Sequence, residues 1–409
     1  MNNKISDYTG ADLAYLLSAK AVREKSLRLY ELVAQGAGHF TIHLEKMDEV
    51  VERVLKVTQE NYPTLQIPFH SRWGHFNVGG RDRLALLDKN FAGLSAAEKA
   101  RGKIDLVVVS VLLDAGAGAD WQYTDQKGDI FFRSEGLAVA SLEMFQRGVF
   151  SAEAGDPYRV DASRLQQLSL QDLQTAFQVS PQNKLIGVAG RLHLLEKLGA
   201  ALNNKLLFAE CRAGNIYDTL YKKHGKAFQV EDILSLVLSG FGSIWPGRIT
   251  VGETPLGDVW HHPLLGDRHA ISGLIPFHKL SQWMTYSLVA PLQEAGCEIS
   301  GAEKMTGLPE YRNGGLFLDS GVLKLVDAAN FQRTHSADSE FIVEWRALTV
   351  TLLDIVADLM RKKLGLSEAE FPLAKVLEGG TWWAGREIAK EKRADGGAPL
   401  KIDSDGTVF

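Results

Sequence analysis

Phe341, Trp345, Leu348, Leu352, Val356 and Leu359 recur at steps of three and four residues, the spacing that puts side chains on one face of an α-helix. The same period appears along most of the chain. Leu13, Leu16, Leu17, Ala21 and Leu27 show it, as do Met47, Val50, Val51, Val54 and Leu55, and then Leu137, Ala138, Leu142, Phe145 and Val149. Leu185, Val188, Ala189, Leu192, Leu195 and Leu198 continue it. Apolar residues written in this period cannot all face one side of a sheet, where the repeat is two. Strand signals are brief, chiefly Arg248 to Val251 and Gly257 to His261 around a Pro-Leu-Gly turn. The expected fold is therefore mainly α with a small β element. Helices are predicted over Leu185 to Leu202, Lys279 to Ala295 and Ser339 to Lys363, and Ser169 with Asp172 reads as a capping box opening another. The run Ile104 to Leu113 is apolar and β-branched throughout, and periodicity alone leaves it open between a buried strand and a buried helix.

With 409 residues and 45% hydrophobic content, the chain can bury a large core. No repeat and no Ser/Pro-rich linker divides it, so one mainly helical unit is expected over 1–390. The polar, Gly-rich segment 391–409 follows as a tail whose closing Val408 and Phe409 could dock. The net charge of -5 comes from 50 acidic and 45 basic side chains without a basic stripe, which argues against nucleic acid as a partner. Two cysteines, Cys211 and Cys297, are too few for a disulfide framework or a thiolate metal site. The N-terminus has no secretory pattern, and no apolar stretch reaches the roughly 18 residues of a membrane span. These features together imply a cytoplasmic protein with no membrane partner.

Three windows carry candidate chemistry. In Ile67 to Arg83, a Pro/Gly/Asn-containing loop gathers three aromatics, two histidines and three arginines, Arg72 among them; loops of this kind cap a core edge or carry function. In His261 to Gly296, Lys279, Gln282, Trp283 and Tyr286 share a helical face, and Asp267 lies upstream in a turn bounded by Pro263, Gly266 and Gly273. In the third, Glu310, Tyr311 and Arg312 precede Gly314 and Gly315, and Arg312 either grips a carboxylate or phosphate or caps a helix. Ala209 to Asp218, with Arg212 and Gly214, reads as an ordinary turn. The segment after Asp114, AGAGADWQY, lacks the G-x-G-x-x-G spacing of a dinucleotide site. Metal motifs, a Walker loop and a G-x-S-x-G elbow are also missing from the sequence, so chemistry without a metal or cofactor is expected.

The segments HSRWGHFNVGGRDR, IWPGRITVGETPLGDVWHHP, TWWAGREIA and IDSDGTVF resemble the family of the fourth protein of the Urc pathway, associated with uracil catabolism and without an assigned biochemical function. The resemblance runs through nearly the whole chain. A more distant one is to the queuosine-nucleotide salvage N-ribosylhydrolases, which are similar in fold to helical DNA glycosylases. Their F-P-x-F-R-D, K-R-A-Q-I, D-Y-R-V-P-Q and E-x-E-I-R-A stretches are matched in order by HPLLGD ending at Asp267, KLSQW from Lys279, EYRNGG with Tyr311 and Arg312, and EFIVEWRA with Arg346. Gly266, Leu280 and Asn313-Gly314 depart from that pattern and leave the identity of the base open.

Together the resemblances imply hydrolysis of the N-ribosidic bond of a uracil-derived, ring-opened ribonucleotide to ribose 5-phosphate and a ureido fragment. Asp267 would be the catalytic carboxylate. Lys279, Gln282, Tyr311 and Arg312 would bind substrate, Trp121 and Tyr123 would stack on the base, and Arg72 and Arg133 stand as further phosphate ligands. The implied partner is a small pyrimidine nucleotide derivative, with other uracil catabolism enzymes as possible protein partners. The alternative is a non-catalytic nucleotide-binding partner of the ring-opening enzyme. The catalytic role requires Asp267 to be buried in a pocket with cationic neighbours, whereas an exposed Asp267 without a pocket favours the binding role.

Overall fold

The computed structural model describes residues 3–114, 116–118, 120–245 and 249–403. It is mainly α-helical, with only short strands in six small sheets of two or three strands. The longest helix is Glu340–Leu364. The Ser339 hydroxyl caps its first turn by accepting from Ile342 N, three basic residues occupy its last turn, and Gly365 closes it at φ 67, all of which favour a helix bounded at these positions. Its residues Phe341 to Leu353 are buried on every side; it packs along the helix Ala19–Ala34 and forms the axis of the core.

Ile104 to Leu113 is resolved as helix. It belongs to Ala96–Leu112, capped by Ser95 and buried almost throughout its C-terminal half, and it packs between Lys279–Glu294 and Arg133–Gln146. Its continuous apolar run reflects contact with neighbours on all sides, which erases the polar face that would have revealed the period. The Ser169–Asp172 capping box is present at the helix Leu170–Ala176. Of the expected strands, Ile249–Val251 and Val259–His261 form; Arg248 lies outside the described residues.

Two hairpins lead directly into helices that matter below. Gln122–Thr124 pairs with Ile130–Phe132 and runs into Arg133–Gln146. Val259–His261 pairs with Leu274–Pro276 and runs into Lys279–Glu294. Each entry passes through a non-glycine residue at positive φ, Arg133 at 51 and His278 at 47, a conformation that persists only where the surroundings enforce it. For His278 the enforcing contact is its ring nitrogen Nε2 against Leu16 O at 2.8 Å. The helix Tyr311–Asp319 lies on Trp382–Lys392. At their contact a Cβ on Gly385 would fall 2.3 Å from Arg312 O, so the close approach depends on glycine.

The segment beyond residue 391 is packed as far as it is described. Arg393 pairs with Asp319 and donates to Gly397 O, Leu400 is buried, and Lys401–Asp403 forms a parallel pair with Thr334–Ser336. Val408 and Phe409 lie outside the described residues. Among the described residues no helix is long and apolar enough to cross a membrane.

Candidate functional site

A cavity of about 350 Å³ opens where the helices Arg133–Gln146, Lys279–Glu294 and Tyr311–Asp319 all begin. Its wall includes Arg133, Ser134, Lys279, Glu310, Tyr311 and Arg312 from those three N-termini. Asp114, Gly116, Ala117 and Gly118 come from the turn after the Ala96–Leu112 helix, and His70 and His75 from the 67–83 loop. Trp283 and Trp382 supply indole surfaces, and Gly397 and Ala398 close one side. The volume lies within the roughly 300 to 1,000 Å³ of small-molecule sites.

Three helix N-termini present positive dipole ends, and Arg133, Lys279 and Arg312 add three cations. Two of the helix ends are already capped by carboxylates. Glu310 accepts from Arg312 N and Asn313 N, both at 2.6 Å. Asp258 Oδ2 accepts from Lys279 N at 2.9 Å while Arg346 grips Asp258 with two bonds of 2.7 and 2.8 Å. Burial opposes ionisation of Asp258, but the Arg346 guanidinium outweighs it and holds the carboxyl well below the usual range. The third helix, at Arg133, has no side-chain cap.

Within the cavity wall Glu310, Asp114 and Lys279 are pulled away from their solution behaviour chiefly by burial. It raises Glu310 against the opposing pull of its two amides and Lys279. Burial also raises Asp114, opposed by Arg72 and Ser134, and lowers Lys279, opposed mainly by Glu310. Asp114 is tied to Arg72 at 2.7 Å and to Ser134 Oγ at 2.7 and 2.8 Å. Lys279 Nζ, in contrast, has no hydrogen-bond partner among the described residues.

The two histidines are held differently. His75 Nδ1 lies 3.1 Å from Arg72 Nη1, a donor in every state, so this nitrogen accepts and Nε2 carries the hydrogen. Burial, reinforced by Arg72, His70 and Arg386, lowers its pKa well below the ordinary value. His70 Nδ1 faces Glu378 Oε2 at 2.8 Å, and Glu378 Oε1 accepts from Tyr62 OH at 3.1 Å. Both imidazoles lie near Trp283 and Trp382, with ring centroids 5.9 to 6.5 Å apart.

The expected constellation of Asp267, Lys279, Gln282 and Arg312 is divided. Lys279 and Arg312 are in the wall, with Arg133 and Tyr311. Asp267 is not: it is exposed in its turn, where Oδ1 accepts from His269 N at 2.7 Å. Being exposed, Asp267 fails its catalytic role and favours the binding alternative; the carboxylates that do stand in the wall beside cations are the half-buried Glu310 and Asp114. Gln282 is fully buried away from the cavity wall, bonded to Phe277 O and Thr306; sharing a helical face with Lys279 in sequence did not carry it one turn along into the void. Trp121 and Tyr123 are core residues, the indole donating to Phe177 O at 2.9 Å and the phenol to Glu143 at 2.8 Å. They are not available for stacking. Arg72 is fully buried behind Asp114 and acts on the cavity through it.

The residues that sequence reasoning did not assign are Asp114, Glu310, His70, His75, Trp283 and Trp382. The density of His and Arg in the 67–83 loop was the available signal for the histidines. Among the described residues no group of three or more His, Cys, Asp or Glu is arranged to hold a metal ion.

This combination of a mainly helical fold and a cationic cavity with half-buried carboxylates belongs to a chain that matches the family described as "Protein of unknown function (DUF1688)" over residues 15–409. The chain belongs to that family. Among curated proteins it is 40% identical to "Uracil catabolism protein 4" of Lachancea kluyveri, covering 97% of this chain and 99% of the relative. It is 39% identical to "Protein urg3" of Schizosaccharomyces pombe over the same shares.

Proposed function

We propose that this protein acts in uracil catabolism by hydrolysing the N-ribosidic bond of a uracil-derived, ring-opened ribonucleotide, releasing ribose 5-phosphate and a ureido fragment. The name of the Lachancea kluyveri relative supports the pathway. The observation that carries the reading is the convergence of three helix N-termini and three cations on an aromatic-walled cavity that also holds the half-buried carboxylates of Glu310 and Asp114. A phosphate answers the cations and the uncapped helix end at Arg133, and a planar ureido group fits against the indoles.

Breaking the bond leaves positive charge on the ribose, which a fixed carboxylate stabilises. Glu310 suits this role better than Asp114. Asp114 is neutralised at 2.7 Å by Arg72, whereas Glu310 is oriented by two backbone amides and has no salt-bridge partner within 4 Å among the described residues. Glu310 also takes the proton of the attacking water, which its burial-raised pKa favours.

The test is incubation of the protein with a ring-opened uracil ribotide and with intact uridine monophosphate, following ribose 5-phosphate. The ring-opened compound is expected to be cleaved, and Glu310→Gln to lose about 100- to 1,000-fold in rate while still binding it. Binding of both compounds without release from either by the unmodified protein would leave a binding protein in place of a hydrolase.

A further inference from the structure

We infer that His70 and Glu378 form the proton-donating dyad of this cavity, with His70 delivering a proton from Nε2 to the nitrogen-bearing fragment as it leaves the ribose. This rests on the hydrolytic reading above and adds the group that the leaving side of that reaction requires. A ureido anion is a poor leaving group, so departure without a proton donor is slow, and a positioned acid contributes typically about 100- to 10,000-fold.

The geometry singles out His70 among the cavity groups. Its ring is 6% exposed and in the wall. Its backbone is fixed by donation to Ala374 O at 2.9 Å, and its Nδ1 by Glu378 at 2.8 Å. A carboxylate on Nδ1 keeps the hydrogen there and orients the ring, leaving Nε2 as the nitrogen free to exchange a proton. Tyr62 OH, donating to the other oxygen, orients the carboxylate in turn. Glu378 lies in a π-helical turn, Leu377–Thr381, a local widening found mostly where function demands it. His75 cannot take the part, because its Nδ1 faces the Arg72 guanidinium and burial keeps the ring neutral. The charged and titratable groups near His70 include Glu378 and Tyr62 on one side, His75 and Arg72 of its own loop on the other, and Arg386 across the Trp382 indole.

The step balances as a hydrolysis. The C1'–N bond breaks with its electron pair going to nitrogen, which takes the Nε2 proton. Water forms the new C1'–O bond and gives one proton to Glu310, which releases it to solvent as solvent restores the proton of His70.

Two substrates separate this role from a structural one: the ring-opened uracil ribotide and p-nitrophenyl riboside 5-phosphate, whose nitrophenolate leaves without a proton. His70→Gln is expected to slow release from the first by about 100-fold or more and to leave the second within a few-fold. Glu378→Gln, which removes the carboxylate that orients the ring, is expected to slow the first substrate selectively in the same sense. Equal losses on both substrates would overturn the assignment. Nitrogen-15 NMR of the imidazoles, with the His70 signals identified by their loss in His70→Gln, tests the dyad without any turnover: a hydrogen on Nδ1 is expected, and a hydrogen on Nε2 alone in neutral His70 would remove it. If the unmodified protein cleaves neither substrate, the hydrolytic reading fails and the donor role fails with it, even where the spectrum shows the dyad.

Discussion

Two clusters of charge in this molecule, one centred on a fully buried pair and one half-buried at a cavity, differ in what they leave undone. Around Asp105 and Arg212, both nearly inaccessible, the pairing is complete. Asp105 accepts from Arg212 Nε and from Gly214 N, each at 2.6 Å. Arg212 continues to Glu98 at 2.5 Å, Glu98 to Arg101 at 2.7 Å, and Arg101 to Asp218 at 2.6 Å. A Cβ on Gly214 would lie 2.7 Å from Arg101 O, so the cluster encloses no space. Around Glu310 and Lys279 the charges face a void instead, and Lys279 keeps an ammonium without a hydrogen-bond partner among the described residues. Burial of charge by itself marks a structural tie; burial beside unspent hydrogen-bonding capacity and empty volume marks a site.

The largest expected effect comes from the closed cluster. Arg212→Met leaves the buried Asp105 with only the Gly214 amide, while Glu98 keeps Arg101, and loss of one partner of a buried pair costs about 3 to 5 kcal/mol; chemical denaturation should show it, with the ligand affinity of the surviving folded protein unchanged. A small stability loss together with weakened ligand binding would break the comparison. Arg312→Ala acts on the open cluster. It should reduce the preference for a 5'-phosphorylated ligand over its nucleoside by about 1.5 to 3 kcal/mol, the scale of a charged hydrogen bond, read as the ratio of two dissociation constants by calorimetry. An unchanged ratio would move the phosphate toward Arg133.

A smaller effect follows from His75. Its pKa is lowered in the folded protein from 6.5, so the unfolded chain binds the proton first and the stabilising contribution, present above 6.5, is lost as pH falls below it. Relative to His75→Gln, the protein should lose up to about 1.4 kcal/mol per pH unit in that range, measured by denaturation at pH 7.5, 6 and 5. The opposite slope would mean that His75 is charged in the fold. The smallest effect is expected of Asp267→Asn: turnover and stability within error of the unmodified protein, since the carboxylate is exposed and bonded only to its own turn.

The helices were legible because their apolar faces repeat at 3.6 residues; Lys279–Glu294 and Glu340–Leu364 fall within one or two residues of the expected limits. Ile104 to Leu113 was not legible, since complete burial removes the alternation that distinguishes helix from strand. The site was legible in part. Lys279 and Arg312 were among the residues to which a resemblance pointed, but the acid that the same resemblance singled out, Asp267, sits where Gly266 at φ 149 and the following turn direct the chain outward. Asp114 and His70 come from loops without periodicity, brought together by packing between elements more than 40 positions apart, and no local spacing records such a meeting.

The segment that ends the cavity wall has a consequence for the order of synthesis. Arg312 Nη1 donates to Gly396 O at 2.6 Å, and Gly397 and Ala398 complete the enclosure. Every charged group of the wall leaves the ribosome before these three small residues do. The nascent chain can therefore assemble its helices and pair its core ions while this side of the cavity still stands open, and the wall is complete only after residue 398 has emerged.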